Sequence, residues 1–107
     1  MPVDDLTVID FVSLDLNGNA VLTIGDHLEW DENNEHLFIL QSKINVYLDA
    51  IENGSLYDAY PNAKNRNIII QVAAQYEPND IGVSFLKRTR KTLKIAGYDF
   101  SFSVLQQ

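Results

Sequence analysis

The chain has 107 residues, a formal net charge of −7, 46% hydrophobic residues and no cysteine. That length is enough for one domain with a real core, so a single domain over residues 1–107 is expected. The missing cysteine excludes disulfides, thiolate chemistry and cysteine-ligated zinc or iron–sulfur clusters. No apolar stretch approaches the roughly 18–20 residues that span a bilayer, and no basic region followed by an apolar run marks a signal peptide. A soluble, cytoplasmic protein with no membrane partner is the expectation.

The charge is unevenly spread. Residues 1–60 hold 12 acidic side chains against one basic, Lys43, whereas residues 61–107 hold 3 acidic against 7 basic. An acidic chain is a poor general nucleic-acid binder, because phosphate contacts dominate that affinity. The basic residues do cluster, as Lys87-Arg88-x-Arg90-Lys91-x-x-Lys94. The plainer reading of that run is a solvated helix face; the sharper one is a binding patch.

In chain order, residues 1–5 form a lead-in, and Val8 to Leu16 reads as a strand. Ala20 to Gly25 is its hairpin partner across Asn17-Gly18-Asn19. A three-residue loop pairs Leu16 with Ala20, Leu14 with Leu22 and Val12 with Ile24, which makes one face fully apolar. A one-residue slip would flip every side chain, so this register is preferred to a two-residue turn.

The stretch Asp26-His27-Leu28-Glu29-Trp30-Asp31 then launches the longest helical pattern. Asp31 suits an N-cap, since a short carboxylate accepts from the free amides of a first turn, and Glu32 and Glu35 add charge where the helix dipole favours it. Asn53-Gly54 supplies the left-handed stop. Between them Leu37, Leu40, Ile44, Tyr47, Leu48 and Ile51 fall in one arc, the stripe of a helix lying on a core. Ile39, Val46 and Ala50, with Phe38 on one flank and Ser42 between, make a second apolar set on the opposite side, a back face expected to be covered.

Ser55 to Tyr60 predicts one further helical turn, capped by Ser55 and stopped by Pro61. Ile68 to Tyr76 is the most apolar strand, and a second helix follows from a cap at Asn79 or Asp80 to about Ala96. Its core stripe is Phe85, Leu86, Thr89, Leu93 and Ala96, with Gly97 closing it. Tyr98, Phe100, Phe102 and Val104 then alternate with Asp99, Ser101 and Ser103, a strand with one buried face. The order ββαβαβ predicts an α/β (α+β) two-layer sandwich: a four-stranded mixed sheet with two helices on one face. Crossover handedness makes the last three strands parallel and the first antiparallel to its neighbour.

Catalytic motifs are missing. There is no Gly-x-Ser-x-Gly elbow, no recognisable Ser–His arrangement, no P-loop and no dinucleotide fingerprint. This weighs against an enzyme, assigns no catalytic residue and no cofactor, and leaves open a site built from carboxylates. The one constellation worth weighing is Asp26, His27, Glu29, Asp31, Glu32, Glu35 and His36. Imidazole and carboxylate suit a divalent transition metal, and Glu32 and His36 are spaced to share a helix face. No tight ligand spacing accompanies them, and capping alone explains acids at a helix start, so no metal ligand is assigned. Trp30 suits a hydrophobic staple against Phe38 or Leu37, although the usual spacing prefers His36. Tyr57 and Tyr60 read as core-edge residues.

The runs Val8-Ile9-Asp10-Phe11, Leu22-Thr23-Ile24-x-Asp26-His27-Leu28-x-Trp30-Asp31 and His36-Leu37-x-x-Leu40-Gln41-x-Lys43-Ile44-Asn45-x-Tyr47-Leu48 resemble a family of small bacterial proteins known only as a domain of unknown function. The resemblance covers nearly the whole chain. It supports a single domain and brings no activity, cofactor or catalytic residue with it.

Two functions follow as expectations. The first is a non-catalytic protein-binding module, an immunity- or antitoxin-like partner or a self-associating subunit such as a homodimer, with Phe38, Ile39, Val46 and Ala50 as contact residues. An acidic surface can cap a basic site and speed encounter by steering. The second is a small ligand- or metal-binding protein or enzyme using the corner of His27, Glu29, Trp30 and His36. Nucleic-acid binding by the second helix is a distant third, because the remaining surface repels phosphate.

Overall fold

The computed structural model describes residues 11–105 of the protein, with Phe11 placed by its backbone only. The elements run β1 (Phe11–Leu14), β2 (Ala20–Asp26), α1 (Glu35–Glu52), α2 (Ser55–Ala59), a 3-10 turn (Pro61–Ala63), β3 (Ile68–Ala74), α3 (Asp80–Ile95) and β4 (Asp99–Val104). The sheet order is β1-β2-β3-β4, with β1 antiparallel to β2 and the other three parallel. This is the mixed sheet expected from the ββαβαβ order. The expected lead-in over residues 1–5 and the start of the first strand at Val8 lie outside the described residues.

Strand periodicity sorts the sheet's two faces. In register, Leu22 lies beside Ile70 and Ile70 beside Phe100; Ile24, Val72 and Phe102 form the next row; Asp26, Ala74 and Val104 the last. These rows face the helices, and the first two join Leu37, Leu40, Ile44, Tyr47 and Ile51 of α1 and Phe85, Leu86 and Leu93 of α3 in one core. Ser13, Thr23, Gln71 and Ser101 point to the other, half-open face. Both long helices therefore lie on one side, and α2, packing Leu56 inward, adds a third helical segment.

The hairpin departs from its expected register. Leu14 pairs with Ala20 and Val12 with Leu22, so the loop is Asp15–Asn19 rather than three residues long. The shift is by two, so the same side chains keep the inner face, but Leu16 leaves the sheet and is fully exposed. The cause is Asp15, whose carboxylate accepts from Asn17 N at 2.9 Å, Asn19 N at 2.8 Å and Asn19 Nδ2 at 2.9 Å. These bonds hold its carboxyl below the usual carboxylate value, the Asn19 side chain first. A side chain that satisfies the loop's own amides outweighs one more apolar pair at the end of a short strand.

Two helix starts also differ. α1 begins after Asn34, whose φ of 60° is left-handed. Asp31 still caps the helix, but from further back: its carboxylate accepts from Glu35 N at 3.1 Å and His36 N at 3.0 Å. At α2, Ser55 is inside the helix rather than its cap; Gly54, with φ 86°, precedes it, and Asn53 Oδ1 accepts from Ser55 N at 2.8 Å. α3 starts as expected, with Asn79 Oδ1 accepting from Gly82 N at 2.8 Å.

Candidate functional site

The corner that the sequence singles out sits at the carboxyl end of β2, where ligands commonly bind open α/β sheets. Of its four residues the structure brings two together and turns two away. His27 and Glu29 are exposed, whereas His36 is 2% and its partner Asp26 is 1% exposed. His36 Nε2 lies 2.8 and 2.7 Å from the two carboxylate oxygens of Asp26. Facing both oxygens of a carboxyl group, Nε2 is the ring nitrogen placed to donate. Asp26 Oδ1 accepts a second bond, from Leu28 N at 3.2 Å.

Trp30 closes this pair from outside. Its ring centroid is 4.2 Å from that of His36 and 6.5 Å from that of Phe102, the latter edge-on. It also lies over Gly82 in the first turn of α3, where an added Cβ would come within 2.7 Å of Trp30 Cε3. Trp30 thus packs on His36 without forming a staple, because with Asn34 as the cap it lies four residues before the helix cap rather than next to it. Glu32 is exposed in the turn before α1, because the left-handed Asn34 delays the helix; the Glu32–His36 face is lost. Among the described residues no group of three His, Cys, Asp or Glu side chains could hold a metal ion. In this arrangement the imidazole ties a loop: its ring is held by Asp26 and its backbone amide by Asp31.

Sequence reasoning missed Asp26 as the partner of His36, and it missed Lys43. That lysine is fully buried in α1, with Nζ 5.5 Å from the ring centroid of Tyr47, whose hydroxyl donates to Thr23 O at 3.1 Å. Its spacing from Leu40 and Tyr47 was the available signal, since i+3 and i+4 neighbours share a face. With His36 it fills the seam between the core stripe and the second apolar set. Ile39, Val46 and Ala50 are consequently half-buried and packed against the core, while Phe38 stands apart at 60% exposure.

Phe38 belongs to another feature. Between α1 and α3 runs a groove of about 460 Å³ whose floor is Leu37, Ile44, Leu48, Phe85 and Leu93. Gln41, Asn45, Thr89, Thr92 and Arg88 line its walls, and Phe38 and Ile81, 60% and 51% exposed, form its lips. The exposed ionised side chains of α1 are Glu35, Asp49 and Glu52, its lysine being buried; α3 exposes Lys87, Arg88, Arg90, Lys91 and Lys94 against Asp80, and of all these Arg88 alone lines the groove.

Fold and surfaces together define a small two-layer α/β sandwich with an apolar groove on its helical face. The chain belongs to a family of unknown function, DUF6572, whose model matches residues 1–106. No curated protein matches it, and no solved structure does. Among the described residues no helix is long and apolar enough to cross a membrane.

Proposed function

We propose that the protein is a non-catalytic protein-binding module that self-associates through the groove between α1 and α3. The observation that carries this reading is Phe38: a large aromatic left 60% exposed at the lip of an apolar groove. Aromatic anchors in such a setting are the usual centres of binding energy. A second copy is the occupant proposed. With a two-fold axis along the groove, each α1 lies over the partner's α3 and each Phe38 meets the other apolar groove, the self-complementarity that a two-fold contact needs.

The test is the native mass in solution by light scattering, at two concentrations and two salt levels. A dimer is expected at the higher concentration, with Phe38→Asp monomeric and still folded because the side chain is mostly in water. A monomer under every condition would end the self-association reading and leave the groove to a foreign protein. A second reading, a ligand site at the corner, draws on His36 Nδ1 and Trp30 Nε1, both buried and without a hydrogen-bond partner among the described residues. It requires Trp30 to swing aside. Equilibrium dialysis against zinc tests its metal version: stoichiometric uptake lost in His36→Ala supports it, and no uptake at micromolar zinc ends it.

A further inference from the structure

We propose that the outer edge of β4 is a docking site for an extended acidic peptide segment of a partner protein, added as a fifth strand. The proposal is separate from the groove, which lies on the other flank of α3.

The backbone comes first. Among the described residues β4 pairs with β3 alone, and Leu105 N donates to Ala74 O of β3 at 2.7 Å. Strand alternation then turns the N–H and C=O groups of Phe100, Phe102 and Val104 away from β3. Of these, Phe100 O meets Arg90 Nε at a long 3.4 Å. The rest of the row offers the donors and acceptors that an added strand uses.

The walls set the chemistry. Two cavities lie along this edge: one of about 370 Å³ beside Phe102 and Val104, with Glu77 on its wall, and one of about 530 Å³ beside Phe100. The larger is ringed by Lys87, Arg90, Lys91 and Lys94 over Tyr98 and Phe100. Its one carboxylate, Asp99, is already held by Lys94 at 3.2 Å and Asn67 at 2.8 Å. Among the described residues no carboxylate pairs with Lys87, Arg90 or Lys91. A chain of net charge −7 thus keeps a cationic wall over an apolar floor along an open strand edge. Side chains at alternate positions of an added strand point to the helical face, where acidic ones meet the basic wall, and those between them lie on the half-open face. A second copy pairing edge to edge would bring the two basic walls together, and like charges so placed are repulsive.

The probe is a blocked eight-residue peptide alternating glutamate with valine, titrated into the full chain and followed by NMR. Binding is expected, together with slowed hydrogen exchange at the amides of Phe102 and Val104. The exposed charge reversals Lys87→Glu and Arg90→Glu, made together, should weaken it by about tenfold or more, as should added salt. Binding unchanged in that variant would overturn the proposal, as would binding without protection of those two amides, which marks a diffuse electrostatic contact. No binding at millimolar peptide would also overturn it. A single-stranded oligonucleotide or anionic vesicles that bind where the peptide does not would replace the peptide with another anion and refute it.

Discussion

Substituting Asp26→Leu, His36→Phe and both together tests whether the buried pair holds the corner. Each single change leaves one polar group stranded. Asp26→Leu removes the acceptor of His36 Nε2, which lies 2.7 Å from it, and the acceptor of Leu28 N, at 3.2 Å. His36→Phe leaves a carboxylate 1% exposed with Leu28 N as its remaining partner among the described residues. Stranding a buried hydrogen-bonding group costs about 1–3 kcal/mol, a large share of the roughly 5–15 kcal/mol that a domain has to lose. Replacing both partners with apolar groups of similar shape strands neither, so the double variant should lose less than the sum of the singles, by about 1–3 kcal/mol. Urea unfolding followed by the fluorescence of Trp30, the chain's one tryptophan, reads this directly. With a slope of about 1.5 kcal/mol per molar urea, each single change should lower the midpoint by roughly 1–2 M. Losses that simply add, or a single change costing under about 1 kcal/mol, would show that the pair behaves like an exposed one and that the reasoning fails.

Gly82→Ala should destabilise despite the better helix propensity of alanine, because its Cβ would come within 2.8 Å of Trp30 Cζ3 and 3.0 Å of Pro78 Cβ. Overpacking costs about 1–3 kcal/mol against about 1 kcal/mol of propensity, so a net loss and a shifted Trp30 emission are expected; a gain in melting temperature would contradict the packing. Leu16→Ser should change stability by less than about 0.5 kcal/mol, as for other exposed positions, and a loss several times larger would restore the three-residue loop. The carboxyls of Asp15, Asp31 and Asp99 are held below 3.8, mainly by hydrogen bonds from the Asn19 side chain, the His36 amide and the Asn67 side chain respectively. A depressed folded-state value contributes stability that is complete above 3.8 and fades as pH falls through the lower value. Asp15→Asn should therefore flatten the acid limb of the stability–pH curve, and an unchanged slope would remove Asp15 from the account.

Much of the fold was legible because periodicity is a direct consequence of burial. Alternation marked β3 and β4, the arc from Leu37 to Ile51 marked α1, and Asn79 marked the start of α3. What escaped reading were places where a polar side chain outcompetes an apolar pattern. Asp15 moved the hairpin register, and the left-handed Asn34 delayed α1 and separated Glu32 from His36. In the corner, the partner of His36 is Asp26, which lies ten residues before it in the chain, a contact that only the return of α1 onto the sheet creates. Lys43 looked like a surface residue by type, although its spacing placed it on the buried face. Phe38 was noticed, but its groove needs α3 as a second wall, and no pattern within α1 contains that.

The bonds around His36 act as a crosslink in a chain that has no cysteine to make one. They close the segment from Asp26 to His36, a loop short enough that closing it costs little chain entropy. A disulfide across the same span would restrict the unfolded chain and leave the folded one untouched. The Asp26–His36 link does the reverse, existing only once β2 and α1 are both in place. It therefore does nothing to narrow the unfolded ensemble, and it ties the loss of the corner to the loss of strand and helix at once. Reducing conditions leave such a fastening intact, and melting the sheet edge or the first turn of α1 releases it completely.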